Sequence, residues 1–537
     1  MHLNQKKIFI FIFLLIIFFL GIFFERFNFK NKVLNFVVSQ TNFIVRNFHN
    51  TNLDILNLQI DSENLENIEK NRDKIISQNI LTKDLEIWQK AKINYKKNSH
   101  NIRIRLKGIF SDHWLDKNEL SYKIRVENDS LPLLGARRFV LQSPKTTSFI
   151  YEWLFMKALE KERLLNLGLD FIKLEINNTS KGIYALIGQP SEDFLIKNKK
   201  KISPIVGFES DLWIKEQIRS TNLEKNGVIR PVNSNEDSYF RASISSIQFE
   251  EDEKNLIDEK NLEKAIFLLD SFRNGSLKTS EVFDTDQLSK VMVLRALLGA
   301  SEFDWLDTKF YYNPDTNYLE PISKEIHVDL NNNYKIYFPT WWIDSSKVRD
   351  HYFNNKDFFI NTLFEDKIFY EKYLNYLNKF SRGNYYLDLI EENYEEFKNY
   401  VNILRLHYSG EKIFLKEQIE ITKKRIRDVV DPIQGITVYF KDYQDGILTL
   451  SIFNQQRLPI FIRSLDFDDD TKIKVKPEIS LIDGQQPFVP MSENILKINC
   501  NFLESCKKEN IADAKLIFNL MGSDQKRKVG IIPHYHK

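Results

Sequence analysis

LLGASEFDWLDTKFYYNPDTNYLEPISKE, Leu297 to Glu325, is the stretch on which the reading of this chain turns. It opens as the end of a helix closed by Gly299, and continues through a segment carrying Glu302, Asp304 and Asp307. Lys309 to Tyr312 reads as an aromatic strand. A turn over Asn313, Pro314 and Asp315 leads to a second strand, Leu319 to Ile322, and then to Ser323, Lys324 and Glu325. A loop acid, a strand hairpin and a second acid are what phosphoryl transfer needs: one carboxylate to orient the acceptor, others to hold Mg²⁺. The same pattern also describes a hairpin with solvated acids at its ends.

The rest of the chain frames this stretch. Its 537 residues suffice for two to four domains. With 76 basic against 74 acidic residues the net charge is +2, so no bulk basic field points to nucleic acid. Ile8 to Phe24 is an unbroken apolar run after Lys6 and Lys7, and it lacks small residues at its end for cleavage. It reads as an uncleaved single-pass signal anchor in the inner or plasma membrane, with residues 1–30 as cytoplasmic start and anchor. The bulk of the chain then lies outside the cytoplasm. Cys500 and Cys506 are the only cysteines; an exported body permits a disulfide between them, and two free thiols are the alternative. No His or second Cys pair stands at zinc spacing.

Residues 31–97 are polar and helical in pattern, a stalk and lead-in ending in the helix-like LTKDLEIWQKAK. From Asn101 the period becomes two: Ile102, Ile104 and Leu106 alternate with Arg103, Arg105 and Lys107. Leu120 to Val126 and Arg138 to Leu141 continue as strands, Thr147 to Leu165 as a helix, and Asp170 to Ile176 with Gly182 to Ile187 as a strand pair. Asp211 to Glu253 reads as irregular. Asn255 to Phe272, Asp284 to Leu298 and much of Lys356 to Val430 read as helices, the last with an aromatic density ordinary for helices over a sheet. After Asp431-Pro432 come short strands such as ITVYF, ILTLSIF and AKLIFNL, which suggest an antiparallel β-sandwich over 431–537. The fold class expected is therefore α+β.

Several segments together carry a resemblance. IRLKG at 104–108, LSYKIRV at 120–126, RRFVLQSPKTTSFIYEWLFMKAL at 137–159 and INNTSKGIYAL at 176–186 follow one another in the order seen in the CotH kinase-like family. KISPIVGFESDLW at 201–213, FRNGSLKTSEVFDTDQLSK at 272–290 and FYYNPDTNYLEPI at 310–322 continue it, the last being the most specific. Residues from about 100 to 410 thus resemble a divergent protein-kinase-like domain, and the domain is expected to span 98–430. The resemblance implies that Asp304 orients an acceptor hydroxyl, that Asp307 and Glu325 hold Mg²⁺ or Mn²⁺, and that Lys123 meets the phosphates of ATP. The pattern also departs from the family. Ile187 and Gly188 stand where acids are common, Leu306-Asp307 replaces a His-Asn pair, and Glu325 replaces an Asp. Near-octahedral Mg²⁺ tolerates a longer carboxylate poorly. The expectation is a membrane-anchored kinase-like protein of the cell envelope with weakened phosphoryl transfer to protein Ser or Thr. The alternative is a silent scaffold that binds an envelope protein or polymer. A glycosidase has abundant acids to draw on here but no distinctive motif.

Overall fold

The structure, a computed structural model, describes residues 53–127, 136–227, 234–246, 258–301, 303–328, 358–432, 435–467, 472–475, 481–485, 491–501, 503–507 and 509–533. The apolar run 8–24, and with it the expected anchor, lies outside these residues, as does the turn-rich passage 331–343. Among the described residues no helix is long and apolar enough to cross a membrane.

The first body is a closed barrel. Its strands are β1 (Ile55–Gln59), β2 (Gln89–Tyr95), β3 (Asn98–Leu106), β4 (Tyr122–Val126), β5 (Arg138–Gln142), β6 (Leu169–Ile176) and β7 (Thr179–Gly188), in the order β1-β2-β3-β4-β5-β7-β6. The parallel pairing of β1 with β6 closes it. Alternation decides what fills it: Leu56, Leu58, Ile102, Ile104, Leu106, Ile124, Phe139, Leu141, Leu174 and Tyr184 form one interior cluster. The intervening Val140, Ile183, Ala185 and Ile187 face the other way, against the helix Ile150–Lys161. Being covered on both faces, β5 and β7 read as near-continuous apolar runs.

Here the structure corrects the expected stalk. Leu56 and Leu58 are fully buried strand residues, and the segment expected to be helical is a single 3₁₀ turn, Lys83–Leu85, followed by β2. Tertiary pairing of β2 with β1 on one side and β3 on the other overrides the local helix preference of LTKDLEIWQKAK. A long helix, Ser62–Gln78, does lie between these strands. The stretch expected to be irregular after Asp211 contains two further helices, Asp211–Lys225 and Ser234–Arg241.

The central stretch folds as its sequence indicates. Asp284 caps the helix Thr285–Leu298 by accepting the N–H groups of Asp286 and Gln287, and Gly299 ends it in the left-handed region. After β8 (Ile205–Phe208), β9 (Ile244–Ser246) and β10 (Ala300–Ser301), the hairpin of β11 (Lys309–Asn313) and β12 (Tyr318–Ile322) joins a sheet of order β12-β11-β8-β9. The short β13 (His327–Val328) pairs with β10. Helices fill the following region, as expected, from Phe358–Glu365 to Lys416–Val430.

The carboxyl-terminal strands are β14 (Ile436–Gln444), β15 (Ile447–Asn454), β16 (Ile460–Asp466), β17 (Lys472–Lys474), β18 (Leu481–Ile482), β19 (Asn494–Asn499), β20 (Lys515–Leu520) and β21 (Arg527–Ile532). Instead of the two stacked sheets of a sandwich they make one hydrogen-bonded path, β17-β16-β20-β21-β14-β15-β19, with β18 on β16. The parallel register of β14 with β21 bridges what two separate sheets would leave as edges. Cys500 and Cys506 are joined as a disulfide beyond β19.

This sheet is fastened to the helix Lys367–Arg382. Asn378 Nδ2 donates to the Gly522 carbonyl at 3.0 Å, and Arg427 Nη1 to Asn378 Oδ1 at 2.7 Å. Gly522 has φ +76, and a Cβ there would come within 2.4 Å of Leu374 Cβ. Gly522→Val is therefore expected to cost about 2–3 kcal/mol through overpacking and backbone strain, measured by urea unfolding. An unchanged midpoint would show that sheet and helix do not bear on each other.

Candidate functional site

The second acid of the central stretch meets the barrel at one ion pair. Lys107 follows the last residue of β3, with its N–H bonded to the Ser121 carbonyl. Its ammonium donates to Gln142 Oε1 at 2.6 Å and to Glu325 Oε1 at 2.5 Å, with both charged side chains largely buried. Gly108, at φ +99, makes the adjoining turn close: a Cβ there would overlap the His113 ring.

Glu325 is held in the left-handed region at φ 49, a conformation that persists in a non-Gly residue only when its surroundings over-determine it. Those surroundings are charged. Glu152, fully buried in the helix Ile150–Lys161, accepts the Glu325 N–H at 3.0 Å and the Ile326 N–H at 2.5 Å. Arg295, from the helix Thr285–Leu298, donates to Ser323 Oγ at 2.9 Å and to the carbonyls of Lys324 and Glu325 at 3.2 and 3.4 Å. Ser148 Oγ accepts the Val328 N–H at 2.8 Å. Two helices thus grip the backbone of residues 324–326, with Ser323 held through its hydroxyl and Val328 by Ser148.

The loop acids Asp304 and Asp307 act on Lys324. Asp304 Oδ1 accepts the N–H groups of Leu306 and Asp307, each at 2.9 Å, and so caps its own turn. Lys309 Nζ donates to the Leu306 and Phe208 carbonyls. Lys324 Nζ lies 4.0 Å from Glu325, and Glu325, Asp307 and Asp304 together with Glu152 raise its pKa against burial.

These neighbours set the charges. Burial alone would raise the Glu325 carboxyl, but Lys107 and Lys324 hold it well below the ordinary carboxylate range. Burial lowers Lys107, with Glu325 opposing. Lys309 falls to about 8 through burial and then Lys324. Lys123 falls to about 8 through burial, helped by Arg105 opposite it on β3. Burial also keeps His113 neutral, at about 3.

The expected metal ligands are thus gathered near one another, but around a lysine. Among the described residues no three His, Cys, Asp or Glu side chains are grouped to hold a metal ion. One Asp304 oxygen is engaged by backbone N–H groups and one Glu325 oxygen by Lys107. Lys123 lies on the outer barrel face, and Asp304, Asp307 and Glu325 are not among the charges that shift it. Lys107, Glu152, Arg295 and Lys324 were not anticipated as site residues. Their signal was present: Glu152 and Arg295 interrupt the apolar runs IYEWLF and VMVLRALL. A charge inside such a run is almost never buried without a partner.

Glu152 gives this grip a pH dependence. Burial lifts its carboxyl from 4.5 to about 7, against the Ile326 N–H and Arg295, which favour the charged form. Between those values the unfolded chain releases the proton while the folded protein keeps it, so this contribution to stability falls as pH rises. At about 1.4 kcal/mol per unit, Glu152→Gln should gain on the wild type by up to about 3 kcal/mol between about pH 4.5 and pH 8. Unfolding free energies measured at both ends check this, and a difference independent of pH would contradict it.

The architecture is thus a mixed α+β protein whose barrel, helices and hairpin meet at a buried Lys107–Glu325 pair. Compared with models of known protein families the chain matches none, and a search of curated protein sequences also finds no match.

Proposed function

We propose that this is a CotH-kinase-like, membrane-anchored protein of the cell envelope whose central cleft has a kinase-type layout but no longer runs metal-dependent phosphoryl transfer. The observation that carries this reading is the pairing of Glu325 with Lys107 at 2.5 Å, where the family resemblance would put a metal-binding acid. The order of elements supports the layout: strands, the helix Ile150–Lys161, two more strands, then the loop acid and hairpin. The protein then acts by binding, as a scaffold for an envelope protein or polymer, with a nucleotide-type ligand in the cleft. The Cys500–Cys506 disulfide favours an oxidising compartment, in keeping with an exported body.

A second reading, weak ATP-dependent transfer to Ser or Thr, draws on Asp304, which opens the turn before β11 where an acceptor-orienting acid would stand. The two readings separate when full-length protein is incubated with γ-labelled ATP and Mg²⁺ or Mn²⁺. The binding role expects no incorporation above background. Incorporation that disappears in Asp304→Ala would overturn it and establish a kinase.

A further inference from the structure

The carboxyl-terminal sheet protects one of its edges and leaves the other open. A row of unpaired backbone N–H and C=O groups is a template for pairing with another chain, and short strands or exposed lysines blunt it. The β16 end has both devices: β17 is three residues long with Lys472 and Lys474 exposed, and β18 is two residues long. At the other end stands β19, six residues long, and no strand pairs with its outer side among the described residues. The Cys500 N–H donates to the Gly446 carbonyl at 2.8 Å, so the even-numbered residues of β19 turn their backbone toward β15. Ile495, Lys497 and Asn499 therefore present theirs to the open side. Their side chains are exposed, while those of Leu496 and Ile498 are buried.

This edge is held ready. Cys500, directly after β19, is buried and joined to Cys506, and Tyr443 Oη donates to the Leu503 carbonyl inside that loop at 3.3 Å. A strand end fixed in this way need not be ordered when a partner arrives, which lowers the cost of binding. The outer face says what fits. Ile495 is 46% exposed, and Ile447, on the same face of β15, is 42% exposed. Lys497 stands between them and makes no ion pair among the described residues. The acid nearest to it in sequence, Glu493, is taken by Lys441 at 2.9 Å and by Ser451 Oγ at 2.5 Å. A lone lysine on such an edge discourages a neutral or basic strand and favours an acidic one. A second copy of the chain does not answer it: the six residues NILKIN contain no carboxylate, and pairing centred on Lys497 would oppose two lysines.

We propose that β19 takes up an extended segment of a partner protein as an added strand, with an acidic residue opposite Lys497 and an apolar one two positions away opposite Ile495. The inference goes beyond the cleft reading and draws nothing from it, so phosphoryl transfer in the cleft would overturn that reading and leave this edge standing. The probe is the end-capped, fluorescein-labelled peptide Thr-Ile-Val-Glu-Val-Thr, titrated with full-length protein by fluorescence anisotropy. Its Ile and Glu share one face of a strand. Saturable binding is expected, weakened about fivefold when Lys replaces Glu in the peptide, the share of one exposed ion pair. Lys497→Glu should reverse that preference and leave the urea midpoint unchanged. Ile495→Pro removes an N–H that faces the open side and should abolish binding. Should that variant fail to fold, the peptide N-methylated at Ile and Glu removes the same main-chain bonds from the other partner and should not bind the wild type. Binding of the N-methylated peptide as tightly as the parent would overturn strand addition. Equal binding of the Glu and Lys peptides would overturn the acidic partner, and no binding of either would overturn the proposal. A dimer in sedimentation that Ile495→Pro dissolves would assign the edge to a second copy and overturn it too.

Discussion

Replacing Lys107 by Met is expected to lower the unfolding free energy by about 3–5 kcal/mol, because it strands a buried carboxylate. Glu325 faces Lys107 with only about a seventh of its side chain exposed, its relative exposure being 15%. Its backbone is fixed by Glu152 and Arg295, so the side chain cannot swing to water without breaking that grip. The double replacement Lys107→Met with Glu325→Leu removes both charges and should recover most of the loss, since a buried pair is often matched by apolar groups of similar volume. Denaturant titration of the two single variants and the double variant gives the coupling directly. If Lys107→Met costs less than about 1 kcal/mol, the pair behaves as an exposed one and the central ion pair is not a structural feature.

The second large effect belongs to Arg295. It is 1% exposed, its guanidinium lies over the Phe155 ring, and it serves one hydroxyl and two carbonyl groups of the 323–325 segment. It also supplies positive charge beside Glu152. Arg295→Met should cost about 3–4 kcal/mol, because it leaves those acceptors and the carboxylate buried without compensation. Arg295→Lys should not restore the loss: one ammonium cannot serve several acceptors held in the planar fork of a guanidinium. Equal stability of the Lys variant and the wild type would mean that charge alone matters here.

How far the sequence carried the reading depends on what each element needs from the rest of the molecule. The hairpin at Lys309–Ile322 and the helix ending at Gly299 were legible because their signals are local: a turn over Asn313, Pro314 and Asp315, and a glycine at the left-handed cap. The alternating strands β3 and β4 were legible for the same reason. β2 was not, because Gln89 to Tyr95 is a strand only by virtue of its neighbours β1 and β3. The single carboxyl-terminal sheet was hidden likewise, since short strands predict β structure but not whether a parallel β14–β21 pairing will join two halves.

The candidate site divides along the same line. Asp304, Asp307 and Glu325 were found because they punctuate one short stretch. Their engagement was not legible, because Lys107 lies 218 positions from Glu325 and Glu152 lies 173. The resemblance to the kinase-like family points to Lys123 as a phosphate lysine. The lysine that reaches the central acid is Lys107, at the strand's end, where the chain turns at Gly108.

Glu325 is paired with Lys107, and the function proposed above gives it no metal ion. Titrating Mn²⁺ into the full-length protein with ADP present, and following free Mn²⁺ by electron paramagnetic resonance, tests it most directly. No protein-dependent loss of the free-ion signal beyond that due to ADP alone is expected, for wild type and Glu325→Gln alike. Stoichiometric Mn²⁺ uptake by the wild type that is lost in Glu325→Gln would contradict it.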